Sequence, residues 1–197
     1  MGVTTNQPVF GKTAVQSETE LVEQWLGQMD VALQSESRTS VASLFATDGH
    51  WRDLLAFTWS ITPSQGAEDI AALMVAKQGT ARARGFAIAE GRTPPRRVQR
   101  AGIDVIEGIF RFETDIGRGF GVVRLLAAEP SKAFQLMTGM HELKGFEEKI
   151  GKRRPTGEAF SRNFGGTNWK EQRLASQEYA DREPVVLIVG GGQAGLS

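Results

Sequence analysis

Between Leu21 and Leu33 apolar residues return every three or four positions: Leu21, Val22, Trp25, Leu26, Met29 and Leu33. That spacing predicts an amphipathic helix with one buried stripe. Ser17 stands where an N-cap belongs, and Glu18 and Glu20 fall in the first turn, where acids favour a helix start. A second helical stretch opens near Ser40, with Val41, Leu44 and Phe45 apolar, and Thr47-Asp48-Gly49 breaks it. His50-Trp51-Arg52-Asp53-Leu54-Leu55 follows. Phe57 to Ile61 reads as a short strand ended by Pro63 and Gly66, and Ala67 to Ala83 as a helix with Ile70, Leu73 and Met74 facing inward.

The period then changes. Phe86 to Glu90, Arg96 to Ile103, Asp104 to Thr114, Phe120 to Ala128 and Ala133 to Leu143 are strand candidates, the third carrying Ile106, Phe110 and Phe112 on one face. Gly117-Arg118-Gly119 and Glu129-Pro130-Ser131 read as turns between them. Short connections between close-set strands predict an antiparallel meander. Helices followed by a sheet place the chain in the α+β class.

Apolar periodicity fades after Lys144. Residues 144–183 are charged and Gly-containing, with a basic cluster at Lys152-Arg153-Arg154 and one possible helix from Asn168 to Tyr179, and they read as a surface connector. A last apolar run, Val185-Val186-Leu187-Ile188-Val189, leads straight into G-x-G-x-x-G at Gly190, Gly192 and Gly195. That pattern opens a dinucleotide-binding βαβ unit. Gly190 permits a tight turn after the strand, Gly192 lets a pyrophosphate approach the main chain, and Gly195 lets the following helix pack closely. An acid for the ribose belongs about 20 residues further on, beyond Ser197. The expectation is a Rossmann-type fold that is begun in residues 184–197 and truncated.

Composition narrows the classes. In 197 residues Lys+Arg and Asp+Glu are both 23, a balance that points to neither nucleic acid nor an anionic membrane. Without cysteine the chain has no disulfide, thiolate metal site or Cys nucleophile, and two histidines, His50 and His141, make a multi-His metal site unexpected. No apolar run reaches membrane-spanning length, and Met1 to Thr13 lacks an apolar signal core, so a cytoplasmic protein with a disordered lead-in over residues 1–16 is expected.

Leu44-Phe45 and His50-Trp51-Arg52-Asp53-Leu54-Leu55-Ala56-Phe57-Thr58-Trp59, with a helix ahead and a meander behind, resemble a nuclear-transport-factor-2-like domain. That is the cone-shaped α+β fold of polyketide cyclases and ketosteroid isomerases, here expected over residues 17–143. The whole arrangement is similar to the N-terminal region of flavin-containing monooxygenases in which such a cone precedes the FAD-binding fold. The Trp169-to-Arg173 element, the Glu183-Pro184 dipeptide and Val189-Gly190-Gly191-Gly192-Gln193-Ala194-Gly195-Leu196 carry that resemblance. It implies a parent protein that uses FAD and NADPH to oxygenate a small organic substrate. Gly190, Gly192, Gln193, Ala194 and Gly195 are the cofactor-binding residues it marks, and the chain ending at Ser197 is expected to hold neither cofactor and to be inactive alone. A homodimer through the sheet of the cone domain is a further expectation.

The mouth of a cone can hold a small apolar ligand. His50, Trp51, Asp53 and Trp59 are candidates to line it. A catalytic cone would use an Asp base or a His–Asp pair, and His50 and Asp53, three apart, would share a face on a helix. Against this, Trp51, Phe57 and Trp59 suit a core, His50 a helix end, and Asp53 a cap or an Arg partner. Glu107, inside an apolar strand, is a candidate buried carboxylate. His141 has no acidic neighbour on its own face. Two functions remain open: the N-terminal part of an FAD- and NADPH-dependent monooxygenase, or a stand-alone cone that binds a small molecule or acts as an isomerase or cyclase.

Overall fold

In the computed structural model, residues 16–154, 166–180, 183 and 189–192 are described. The chain divides into two compact units, residues 1–148 and 149–197.

The first unit begins with α1 (Glu18–Gln34), closed at its start by a capping box. Ser17 Oγ accepts from the Glu20 amide at 3.3 Å, and the Glu20 carboxylate accepts from the Ser17 amide at 2.7 Å. Val22, Trp25, Leu26, Met29 and Leu33 are buried along one stripe, as their spacing requires. A short α2 (Arg38–Ser43) follows, and then β1 (Phe45–Leu54), β2 (Ile61–Gln65) and α3 (Ala67–Ala81). Five more strands follow, β3 (Arg84–Ile88), β4 (Arg96–Arg100), β5 (Ile103–Glu113), β6 (Gly117–Leu126) and β7 (Glu129–Leu143), and a late helix, α4 (Trp169–Glu178), lies in the second unit.

The strands form one seven-stranded sheet in the order β2-β1-β7-β6-β5-β3, with β4 pairing the other end of β5 on the same edge as β3. All pairings are antiparallel except β1 with β7. Register shifts along β6–β7 bend the sheet. One face is covered by helices: α1 crosses β3, β5 and β7, and α3 lies over β1 and β2. The class is α+β, with helices packed on a curved sheet.

Four local expectations are corrected. Thr47-Asp48-Gly49 does not end a helix; it lies within β1, where the pairing shifts from Phe45↔Ala133 to His50↔Gln135, so the chain bulges there and resumes the ladder. The short strand is not Phe57–Ile61 but Ile61–Gln65, and Pro63 is tolerated because β2 is an edge. Gly117-Arg118-Gly119 and Glu129-Pro130-Ser131 belong to β6 and β7, and the turns sit at residues 115–116 and 127–128. Two strands precede α3, so helices do not all come first.

The glycines of β6 explain the third correction. Gly119 pairs with Phe112 and Gly121 with Phe110 on β5. A Cβ at Gly119 would collide with the Phe112 ring, and one at Gly121 with both the Phe110 ring and the Met137 carbonyl. Gly119 and Gly121 are bare so that two aromatic rings can lie across this half of the strand. Phe86 stacks on Phe112 with ring centroids 5.0 Å apart, and Phe57 and Phe110 flank it at 6.1 and 6.0 Å. Trp25 and Trp51 complete this core, each spending its indole N–H on a buried partner: Leu44 O at 3.0 Å and Thr138 Oγ1 at 3.0 Å.

In the second unit α4 has its own capping box, Asn168 with Glu171, and the Arg173 guanidinium sits 5.2 Å from the Trp169 ring centre. Gly190 has φ +108°, a conformation open to glycine, and a Cβ at Gly190, Gly191 or Gly192 would meet nothing within 4 Å. Glu183 and Val189–Gly192 form no strand among the described residues. Pro184–Ile188, Gln193, Ala194 and Gly195, and the lead-in up to Val15, lie outside the described residues.

Candidate functional site

β1 decides where the candidate residues go. Because it is a strand and not a helix, successive side chains alternate. His50 and Arg52 are exposed on the open face of the sheet, while Trp51 and Asp53 turn inward and are buried. His50 and Asp53 therefore stand on opposite faces, and the shared face that a helix would give them does not exist. Trp59 is on neither: it sits in the β1–β2 loop, 54% exposed, with φ +56°.

Asp53 is saturated. Its Oδ2 accepts from the Phe57 amide at 2.9 Å, the Thr58 amide at 2.8 Å and Thr58 Oγ1 at 2.8 Å. Its Oδ1 accepts from Thr138 Oγ1 at 2.7 Å, and that hydroxyl in turn accepts from Trp51 Nε1. The carboxylate ties the β1–β2 loop to β7 across the core. That loop holds Leu55 and Trp59 at positive φ, which two side chains of their size adopt only under constraint.

Glu107 lies on the open face, its side chain 12% exposed and surrounded by guanidiniums. Arg100 grips it with both ends, Nε to Oε2 at 3.0 Å and Nη2 to Oε1 at 2.9 Å. Arg124 Nε donates to Oε2 at 2.9 Å, and Arg96 stands 3.6 Å from Oε1. The Arg100 hydrogen bonds, with those of Arg124 and the attraction of both charges, outweigh burial and hold the Glu107 carboxyl at about 2. A carboxylate held that low is a weak base at neutral pH.

Strand pairing sets these groups in one row. Arg96 pairs with Glu107, Glu107 with Arg124, Arg124 with Gln135, Gln135 with His50 and His50 with Gln65, across six strands. The next row carries Pro63, Arg52, Met137, Val122 and Ile109. Between the rows lies an open groove of about 660 Å³, lined by His50, Arg52, Gln65, Val122, Arg124, Gln135 and Met137 among others. The His50 ring meets Phe134 edge-on at 5.9 Å, and Phe134 is the extra residue of a bulge in β7. His141 meets Phe120 in the same way at 5.9 Å, away from the groove.

Of the sequence candidates the groove collects His50 and Trp51, and Glu107 stands beside it through Arg124; Asp53 and Trp59 are elsewhere. Arg52, Arg124, Gln135 and Gln65 were not singled out by the sequence. Each is one polar residue in a strand, and only the register makes them neighbours. No group of three His, Asp or Glu is placed to hold a metal ion among the described residues, and no described helix is long and apolar enough to cross a membrane.

No protein-family model matches the chain, and no curated protein matches it. Solved structures resemble it in outline. A domain with a cystatin-like fold from Nostoc punctiforme is 13% identical over 84% of this chain and 97% of its own, with a TM-score of 0.48. A SnoaL-like family protein from Agrobacterium tumefaciens is 16% identical over 63% of this chain and 97% of its own, TM-score 0.42. An LEH-like epoxide hydrolase from M. tuberculosis is 16% identical over 64% of this chain and 86% of its own, TM-score 0.37. Likenesses this distant carry no residue roles.

Proposed function

We propose that the first unit is a cone-fold module that binds a small molecule without transforming it, and that its ligand seats in the groove on the open sheet face. The groove carries the reading. Its volume of about 660 Å³ lies within the range of small-molecule sites, and it joins an apolar strip to convergent polar groups. The space between helices and sheet, where the cone mouth was expected to take a ligand, is filled by Trp25, Phe45, Trp51, Phe110 and Phe112, all at most 2% exposed. Neither carboxylate candidate suits base chemistry, since Asp53 has four donors and Glu107 is held ionised by arginines. An NMR titration of the chain against a mixed small-molecule library tests this. Binders should move amides of His50–Arg52, Val122–Arg124 and Gln135–Met137, and Met137→Trp should abolish those shifts. Shifts confined to the helix-covered core would overturn the reading.

The second reading concerns a parent protein, and the run from Val185 to Gly195 favours it. In it, this module precedes an FAD- and NADPH-dependent monooxygenase as an accessory domain. Gly190, at positive φ, and Gly192, with open space where a Cβ would be, fit a phosphate-binding turn. FAD bound there would supply the redox chemistry, and these residues would contribute only main-chain contacts to its pyrophosphate. Coding sequence downstream with a second G-x-G-x-x-G a domain-length away, about 150–200 residues, supports this reading, and an immediate stop codon removes it. The chain as given is expected to purify colourless, and Gly192→Val in a full-length protein to lose its flavin.

A further inference from the structure

We infer that the groove selects small organic anions, carboxylates with an apolar body, and this rests on the groove being the binding site. The argument is one of cations without anions. The lining residues include two guanidiniums, Arg52 and Arg124, and an imidazole, His50, with no Asp or Glu among them. Behind them Arg96 and Arg100 join Arg124 in facing the single carboxylate of Glu107, so positive charge exceeds negative along the row.

Arg124 and Gln135 are held in place before any ligand arrives. Arg124 is anchored through Nε to Glu107 and through Nη1 to Gln135 Oε1 at 2.6 Å. Because a guanidinium can only donate, that contact fixes which end of the Gln135 amide is oxygen. Its Nε2 then remains a donor with no partner among the described residues. Arg52 makes no ion pair or side-chain hydrogen bond among the described residues, and Met137 on β7 and Pro63 on β2 are its neighbours across the strands. A carboxylate is acceptor-only and matches a guanidinium with two parallel hydrogen bonds. Val122, Met137 and Pro63 form the apolar strip that would take the rest of the molecule. A free inorganic anion would leave that strip wet, and a neutral ligand would leave the Arg52 charge unmatched.

The test compares 2-naphthoate with its neutral isostere 2-naphthamide on the full chain, by NMR titration and calorimetry at low salt. The naphthoate should shift the groove amides and bind about tenfold more tightly than the amide, the difference that one charge-assisted pair typically makes. Arg52→Gln, an exposed substitution checked by circular dichroism, should weaken naphthoate by about the same factor and leave the amide unchanged. Equal affinities, or an Arg52→Gln chain that keeps the preference, would overturn the anion selectivity while the groove stood as a binding site. Neither compound shifting a groove amide would overturn both. Sedimentation showing a dimer that closes the groove and persists in saturating naphthoate would also overturn the inference, with a second copy as the occupant.

Discussion

At the residue scale, Asp53 and Glu107 show how different two carboxylates become when the fold decides their partners. Asp53 accepts four hydrogen bonds in a fully buried place, so its removal strands two amides and two hydroxyls. Asp53→Ala should lower stability by roughly 3–4 kcal/mol in urea unfolding, and Asp53→Asn by less, because an amide oxygen still accepts. An unchanged urea midpoint in Asp53→Ala would show that the carboxylate does not organise the loop. Glu107 acts through charge. Its folded pKa of about 2 lies below its ordinary value of 4.5, so its contribution is present above pH 4.5 and is lost as pH falls toward 2. With the guanidiniums partly in water, that contribution is on the order of 1–2 kcal/mol. Glu107→Gln should therefore cost about that much at pH 7 and nearly nothing at pH 2, measured by unfolding across that range. A cost that does not change with pH would mean packing, not charge, holds the row together.

At the scale of elements, β6 is the instructive one. Gly-Arg-Gly-Phe-Gly looks like a turn when read for local propensity, since glycine weakens strands. It is a strand because Phe110 and Phe112 on its neighbour occupy the space that side chains there would need. Gly121→Val must displace both the Phe110 ring and the Met137 carbonyl, and is expected to cost roughly 3 kcal/mol or more, or to prevent folding. If thermal melts of Gly121→Val matched the parent within a degree, the close approach would not be what selects glycine. Where periodicity was long and uninterrupted, as in α1 and α3, the sequence placed the element within two residues. It failed at β1 and at both turns of the meander, where a bulge or a partner strand, not local preference, sets the boundary.

At the scale of the molecule, every member of the core cluster falls between Val22 and Leu136, inside the first unit. A chain ended at Glu148 should thus keep a single cooperative unfolding transition at the same urea midpoint; a drop of the midpoint, or loss of cooperativity, would mean that residues 149–197 are needed for that core. The sequence alone determined the α+β class, the helix stripes and the even-numbered aromatic face of β5, because those follow from periods of 3.6 and 2 that neighbouring residues carry among themselves. It also marked Glu107 as a carboxylate in an apolar strand. Tertiary structure decided the rest of the site. His50 and Asp53 were separated by an alternation that only the strand state of β1 imposes. Arg52, Arg124, Gln135 and His50 were brought together by strand register, which joins residues up to 85 positions apart and leaves no trace in the local pattern.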